Sequence, residues 1–103
     1  MMSEFHMCPK FEYAFTLLGK KWTGLIIKVL LSGSKRFSDI KTMIPELSDR
    51  MLAEKFKELE GEGLIKRIVY AETPVRIEYE LTEKGKELEK AMIEVQNWAE
   101  KWV

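Results

Sequence analysis

The hydrophobic period of this chain changes from that of helices to that of strands at the glycines Gly61 and Gly63. Before them, apolar residues recur at spacings of three and four, which is typical of amphipathic helices. After them, "LIKRIVY" is rich in β-branched and aromatic residues, and apolar and charged residues alternate in "VRIEYEL". Both runs indicate strands, and the short segment "AETP" between them predicts an antiparallel hairpin. A hairpin directly after a series of helices restricts the chain to few folds.

Four helices are predicted before the hairpin and one long helix after it. Gly19 suits the left-handed position that follows a helix end, and Pro45 stops a helix because the residue before proline avoids helical angles. Ser48 and Thr82 are suitable N-caps. The five predicted helices run from Pro9 to Gly19, from about Lys21 to Gly33, from about Ser38 to Met43, from Ser48 to Gly61, and from Thr82 to the end of the chain.

The third and fourth helices are joined across "MIPEL", which makes them a helix-turn-helix candidate. The hairpin that follows makes the unit a winged helix. The predicted fold class is therefore α+β, mainly α with a small β-hairpin, in a single domain over residues 1–103. Residues of about 35–81 would form the winged helix-turn-helix, and the helices within 9–33 and 82–103 would complete the core and form a dimer interface.

Composition narrows the classes of function. The 17 Lys and Arg residues balance 17 Asp and Glu residues, so nucleic-acid binding has to rest on local features. No apolar run approaches the roughly 18 residues that span a membrane, and the N-terminus lacks the pattern of a secretory signal. With a single cysteine, a cytoplasmic protein is expected. The sequence offers no phosphate loop, metal-ligand cluster or activated nucleophile, so neither an enzyme nor a cofactor nor a metal site is predicted.

The exposed face of the fourth helix suits DNA, because the first turn of the second helix in such motifs contacts base edges. Arg50 can donate two hydrogen bonds to a guanine, and the small Ala53 permits close approach. Ser48 and the free amides of the first turn can hold a phosphate. The alternative for this helix face is a solvated surface. For Arg76 the alternative is a cross-strand ion pair with Glu78 or a neighbouring residue. The predicted DNA-binding residues are Arg36, Ser38, Lys41, Ser48, Asp49, Arg50, Ala53, Lys57 and Arg76.

Three blocks of the chain together resemble the HxlR family of bacterial and archaeal winged-helix regulators. They are "CPKFEYAFTLLGKKWTGLIIKVL", "RFSDIKTMIPELSDRMLAEKFKELEGEGLIKR" and "ETPVRIEYELTEKG". The resemblance implies a homodimer that binds a near-palindromic DNA operator. It places the helix from Ser48 in the major groove and the loop around 72–76 at the wing. It also implies DNA contacts at Arg36, Ser48, Arg50 and Arg76.

The stretch "MCPKFEYAFTLLGKKW" is most similar to a subgroup of this family that senses quinones and electrophiles through a cysteine before proline. Pro9 at the first helical position makes Cys8 the N-cap, where free amides and the helix dipole favour a thiolate. Lys10 and His6 are nearby sources of positive charge. His6 and Cys8 alone are too few ligands for a metal.

Two readings of Cys8 stay open. Some members of the subgroup carry further cysteines near the C-terminus, which this chain lacks, so a quinone adduct or a mixed disulfide with a small thiol is expected instead. The alternative is that Cys8 is a small packing residue, as most free cysteines are.

The last helix carries two neighbouring apolar rows, more than a domain of this size can cover by itself. They indicate a two-fold dimer interface, whereas a helix packed within one subunit is the alternative. The predicted interface residues are Phe11, Leu88, Met92, Val95, Trp98 and Trp102.

The predicted function is a dimeric repressor that leaves its operator when Cys8 reacts with a quinone, another electrophile or an oxidant. The reaction would change the angle between the two subunits. Two alternatives are a regulator of the same fold that binds a non-covalent small ligand, and a winged helix used as a protein-interaction module. The balanced net charge permits the second of these.

Overall fold

The computed structural model describes residues 7–103, which form six helices and one antiparallel hairpin. The elements in chain order are α1 (Pro9–Leu18), α2 (Thr23–Leu30), α3 (Phe37–Met43), α4 (Asp49–Gly61), β1 (Ile65–Tyr70), β2 (Arg76–Leu81), α5 (Glu83–Lys86) and α6 (Glu89–Trp102). The helix pair α3–α4 and the hairpin directly after it confirm the predicted winged helix-turn-helix.

Helix α4 begins where the sequence predicts, because Ser48 caps it. The Ser48 hydroxyl oxygen accepts a hydrogen bond of 3.1 Å from the Met51 amide, one of the amides that a helix start leaves free. The helix buries Leu52, Phe56 and Leu59 at helical spacing. Gly63, with a φ of 75°, then turns the chain into β1.

The hairpin is in register from Ile65 opposite Leu81 to Tyr70 opposite Arg76. Its base is attached to the start of the helix-turn-helix, because Lys35 and Tyr79 exchange two backbone hydrogen bonds of 2.9 and 2.7 Å. These two bonds therefore hold the wing against Lys35, which directly precedes Arg36 and the start of α3.

The core lies where α2, α3, α4 and the base of the hairpin meet. Phe56 is at its centre: the Phe37 ring meets it edge-on at 5.8 Å, and the Tyr79 ring stacks on it at 3.9 Å. The buried apolar residues are Leu17, Ile26, Ile27, Leu30, Ile40, Ile44, Leu47, Leu52, Phe56, Leu59, Leu64, Ile65 and Leu81.

The joint between α1 and α2 differs from the prediction. Gly19 has a φ of −81° and is not left-handed, because its amide still donates to the Phe15 carbonyl at 2.8 Å and keeps the chain in a helical turn. The left-handed residue is Trp22, with a φ of 76°. Helix α2 consequently begins at Thr23 and not at about Lys21.

The predicted single C-terminal helix is interrupted. Thr82 caps it as expected, since its hydroxyl accepts the Gly85 amide at 3.2 Å. The Leu88 amide then donates to the Gly85 carbonyl at 3.1 Å, three residues back instead of four. This tighter turn separates the short α5 from α6.

Gly85 provides a stability test for this corner of the fold. A Cβ at this position would lie 2.3 Å from the Leu64 carbonyl oxygen and 2.9 Å from a methyl group of Leu81. We expect Gly85→Ala to lower the free energy of unfolding by about 1–3 kcal/mol, as overpacking does, in urea titrations followed by circular dichroism. At Gly61 a Cβ would meet nothing within 4 Å, so Gly61→Ala is the matched control and should not destabilise the protein. Equal effects of the two substitutions would contradict this packing.

Helices α1 and α6 are poorly covered within the described chain. Of their residues, Leu17 alone is buried. The radius of gyration is 16.0 Å and the longest dimension 63 Å, whereas a compact domain of this length has a radius of about 13 Å. Both helices therefore present surface that a single subunit leaves open.

Candidate nucleic-acid interface and thiol site

The first turns of α4 present an open polar face. Ser48, Arg50, Ala53 and Lys57 are all exposed, and the Arg50 side chain is 89% exposed. Its Nε donates to Glu54 at 3.1 Å, which steadies the side chain while Nη1 and Nη2 have no partner in residues 7–103. The Ser48 hydroxyl accepts from Met51 and keeps its own proton to donate. This face can offer hydrogen-bond donors to a base edge and to a phosphate.

Lys41 and Asp49 are arranged differently from the other predicted DNA-binding residues. The Lys41 ammonium donates a hydrogen bond to the Leu47 carbonyl and lies 3.5 Å from a carboxylate oxygen of Asp49. Its side chain is only 27% exposed. The two residues thus contact each other across the turn between α3 and α4.

Arg36 and Ser38 lie at the start of α3, where both are exposed. The Arg36 amide donates to the Asp39 carboxylate at 3.0 Å, which fixes the first turn of the helix. Because Lys35 is bonded to β2, these residues lie beside the base of the wing.

Arg76 is held at the tip of the wing by two carboxylates. Its guanidinium donates to Glu72 at 3.0 and 3.3 Å and to Glu78 at 2.6 Å, and it stacks on the Tyr70 ring at 3.8 Å. The hydrogen bonds to Glu72, and then those to Glu78, raise the pKa of Arg76. The ion pair with Glu78, the alternative left open by the sequence, is therefore present. Three of the five N–H groups are used, so two remain for a phosphate.

Glu78 joins the wing to the segment before α3. Ser34 donates to it at 2.9 Å, and this hydrogen bond together with the charge of Arg76 lowers the pKa of the Glu78 carboxyl against the effect of burial. The carboxylate is thus ionised at neutral pH and keeps Arg76 in place.

No sequence pattern predicts the polar contacts that join α1 and the residues after it to α4. The Tyr13 hydroxyl donates to Glu62, which follows α4, and Lys20, which follows α1, pairs with Glu58 at 3.2 Å. Lys55 also pairs with Glu58, at 3.2 Å, and donates to the buried Thr23 hydroxyl at 3.3 Å. We call the Tyr13–Glu62 and Lys20–Glu58 contacts the α1–α4 clasp.

The pKa directions agree with the clasp. Burial alone would raise the pKa of Glu58, but hydrogen bonds from Lys20 and Lys55 hold it below its ordinary value. The hydrogen bond to Glu62 raises the pKa of Tyr13. Both groups are therefore in the protonation states that the contacts need at neutral pH.

Cys8 occupies the predicted N-cap of α1, with Pro9 at the first helical position. It is exposed, and its backbone carbonyl accepts the Glu12 amide at 2.9 Å. An open hollow beside it is lined by Met7, Phe11, Glu12, Phe15 and Thr16, with the two phenylalanine rings 4.8 Å apart. His6 lies outside the described residues. A reagent from solution can reach this thiol.

The predicted dimer residues divide into two groups. Phe11, Val95, Trp98 and Trp102 are between 60% and 67% exposed. Leu88 and Met92 are partly buried against the core of their own subunit. The open apolar surface therefore lies on the outer face of α6 and on α1.

Residues 7–103 have neither a metal-binding cluster nor a membrane-spanning helix. They contain no cluster of three or more His, Cys, Asp or Glu side chains arranged to hold a metal ion. No helix in this range is both long and apolar enough to cross a membrane.

The sequence matches a known family over most of its length. Residues 17–103 match the HxlR-like helix-turn-helix family. The chain is 52% identical over 102 residues to the uncharacterized HTH-type transcriptional regulator YvaP of Bacillus subtilis (strain 168), covering 99% of this chain and 94% of that protein.

Solved structures agree with this assignment. The reduced form of the transcriptional regulator YodB from B. subtilis is 52% identical, with a TM-score of 0.86 over 94% of this chain and 95% of that one. The quinone-bound YodB from B. subtilis is 49% identical, with a TM-score of 0.81 over 93% of this chain and 100% of that one. These matches confirm the resemblance drawn from the three sequence blocks. The chain therefore belongs to the HxlR-like helix-turn-helix family of transcriptional regulators.

Proposed function

We propose that the protein is a dimeric, cytoplasmic DNA-binding repressor that leaves its operator when Cys8 reacts with a quinone, another electrophile or an oxidant. The observation that carries the proposal is the exposed Cys8 at the head of α1, a helix that is clasped to α4. The similarity to a regulator with a quinone-bound structure supports it.

In this proposal α4 lies in the major groove and the hairpin reaches the adjacent backbone. Arg50 reads a base edge and Ala53 allows close approach. The remaining contacts fix the position on the backbone. The proposed contact residues are Arg36, Ser38, Ser48, Arg50, Ala53, Lys57 and Arg76.

The dimer would form through the open faces of α1 and α6. Exposed apolar patches of this kind mark interaction sites, and the occupant we propose is a second copy of this chain. Two-fold symmetry would then place two α4 helices at successive major grooves, about 34 Å apart. Because both helices must fit at once, a small rotation of either subunit weakens binding.

The addition of the Cys8 thiol to a quinone is a balanced reaction that requires no other residue. The Cys8 sulfur forms a bond to a ring carbon of the quinone, and the ring takes up the thiol proton and ends as a substituted hydroquinone. Nothing leaves, so no co-reactant is required. The thiolate is the nucleophile in this reaction, and the exposed Cys8 is open to the reagent. With a small-molecule disulfide, the Cys8 sulfur instead bonds to one of its sulfurs, the old S–S bond breaks, and the other half leaves as a thiol that takes up the Cys8 proton.

The signal would pass from Cys8 to the DNA through α1. An adduct beside Phe11 and Phe15 competes for space with the partner subunit, and α1 has to move to accommodate it. The α1–α4 clasp then carries that displacement to the helix that reads the DNA. This route complements the predicted change in the angle between the subunits.

Arg50 tests the DNA-reading part of the proposal. We expect Arg50→Ala to weaken binding to the protein's own upstream DNA by about 1–3 kcal/mol, because a base contact is lost. Binding to an unrelated duplex should change far less. Fluorescence anisotropy on both duplexes measures this, with Glu54→Ala as the control that removes only the neighbour of Arg50. Equal losses on the two duplexes would show that Arg50 does not read a base.

A further inference from the structure

We infer that Lys41 and Asp49 are positioning residues that hold the start of α4, and that Lys41 makes no phosphate contact of its own. The inference rests on the proposed DNA binding and assigns these two residues a different role within it. Both belong to the set that the sequence predicts as DNA-binding, but their geometry separates them from Arg50 and Lys57.

The Lys41 side chain is directed into the protein. It leaves α3 and is 27% exposed, whereas Arg50 is 89% exposed. Its ammonium donates to the Leu47 carbonyl and pairs with Asp49 at 3.5 Å. Two of the three ammonium N–H groups are thus engaged within the protein, one of them by the carbonyl of the buried Leu47.

The carbonyl that accepts the Lys41 hydrogen bond belongs to the last residue before the N-cap of α4. Leu47 is buried and directly precedes the N-cap Ser48. In the part of the chain that the structure describes, no backbone amide donates to its carbonyl, because the α4 ladder starts one residue later, with Leu52 bonded to Ser48 at 3.0 Å. Lys41 therefore supplies the hydrogen bond that the backbone leaves unmade, a bond that a sheltered carbonyl needs.

The same ammonium also reaches the first residue of α4. Asp49 occupies that position, where a carboxylate is favourable at the positive end of the helix. One side chain of α3 thus fixes both the last residue of the turn and the first residue of the recognition helix. The direction of the first turn of α4, which carries Ser48 and Arg50, depends on it.

A positioning role for Lys41 and Asp49 would affect specific DNA binding and leave non-specific DNA binding unchanged. Base contacts require side chains within about 0.5 Å of the right geometry, whereas the attraction of phosphates for the protein is tolerant of small shifts. Because Lys41 and Asp49 carry opposite charges, removing both leaves the net charge unchanged. A positioning role therefore predicts a loss confined to specific binding, with the salt dependence preserved.

The test uses Lys41→Gln, the double variant Lys41→Met with Asp49→Asn, and Lys57→Gln as the matched control. Lys57 is an exposed cation of α4. Anisotropy is measured on the upstream DNA and on an unrelated duplex of equal length between about 50 and 200 mM salt, where each phosphate contact contributes about 0.9 to the logarithmic slope. Circular dichroism verifies folding.

We expect the double variant to lose about tenfold in affinity for the upstream DNA. Its affinity for the unrelated duplex and its salt slope should match the wild type. Lys57→Gln should lose affinity for both duplexes, and its salt slope should be smaller by about 1.

If the double variant does not fold, the salt slope of Lys41→Gln is the test. This substitution keeps an amide donor for the Leu47 carbonyl but removes the charge. An unchanged salt slope then supports positioning. Losses of equal size on both duplexes, with a slope smaller by about 1, would overturn the inference while the proposed function stands. A wild type without preference for its upstream DNA would contradict the proposed function, and the positioning role with it.

Discussion

Replacing Phe56 with alanine is expected to lower the free energy of unfolding by about 3–5 kcal/mol, as truncation of a buried phenylalanine does. The residue is 2% exposed and lies between the rings of Phe37 and Tyr79. These three aromatic rings connect α3, α4 and β2, so the cavity would open where the helix-turn-helix and the wing meet. Since domains are stable by only about 5–15 kcal/mol, the variant should be largely unfolded at moderate urea concentrations.

Urea titration followed by circular dichroism measures this effect. Phe56→Leu keeps most of the volume and should cost clearly less. Val69→Ala, on the exposed side of β1, should stay within about 0.5 kcal/mol of the wild type. A loss below about 1 kcal/mol for Phe56→Ala would mean that the core does not depend on this aromatic contact.

Trp98→Glu is expected to convert the proposed dimer into a monomer and to remove most of the specific DNA binding. The indole is 61% exposed on α6, beside the exposed Val95 and Trp102, so a charge there would be buried without a partner in the proposed interface. A monomer holds one half-site. We expect the affinity for the upstream DNA to fall by about 2–5 kcal/mol, half of the 4–10 kcal/mol that specific contacts provide.

Sedimentation equilibrium reports the mass of the variant, and anisotropy reports its affinity for DNA. Asn97→Glu adds the same charge to the same helix, one residue away and outside the apolar rows, and should remain dimeric. If Trp98→Glu sediments as the wild type does and binds DNA equally well, this face of α6 is not the interface.

Much of the fold could be predicted because local signals and tertiary packing agree. Ser48 and Thr82 cap helices as their side chains favour. The spacing of Leu52, Phe56 and Leu59 identifies the buried face of α4, and the alternation after Pro74 gives β2. The position of Cys8 at the N-cap follows from the proline after it. In each case a few neighbouring residues determine the outcome.

The features that could not be predicted depend on distant residues. Tyr13 and Glu62 are 49 positions apart, so no sequence pattern connects them. Trp22 has a left-handed conformation that its residue type rarely adopts, so no local sequence signal predicts it. Lys41 and Arg76 have long side chains whose partners are chosen by the folded surroundings. The sequence predicts both as DNA-binding residues but cannot show that each is paired with a carboxylate in the folded protein.

The α1–α4 clasp gives the thiol a role that the position of Cys8 alone does not explain. Cys8 precedes the first residue of α1, Tyr13 contacts Glu62 from the middle of that helix, and Lys20 contacts Glu58 just after its end. In the proposed function, the clasp would connect sensing at Cys8 to DNA reading by α4 within one subunit, and the proposed dimer interface would add a second connection.

The most direct test of the thiol switch is anisotropy of the protein on its own upstream DNA, with and without 1,4-benzoquinone, for the wild type and Cys8→Ser. Mass spectrometry of the same samples reports the adduct. We expect both proteins to bind DNA and the quinone to release the wild type alone, with one adduct at Cys8. Release of both proteins would instead favour a non-covalent ligand site. If the wild type carries the adduct and stays bound, Cys8 is not the switch and the central claim is wrong.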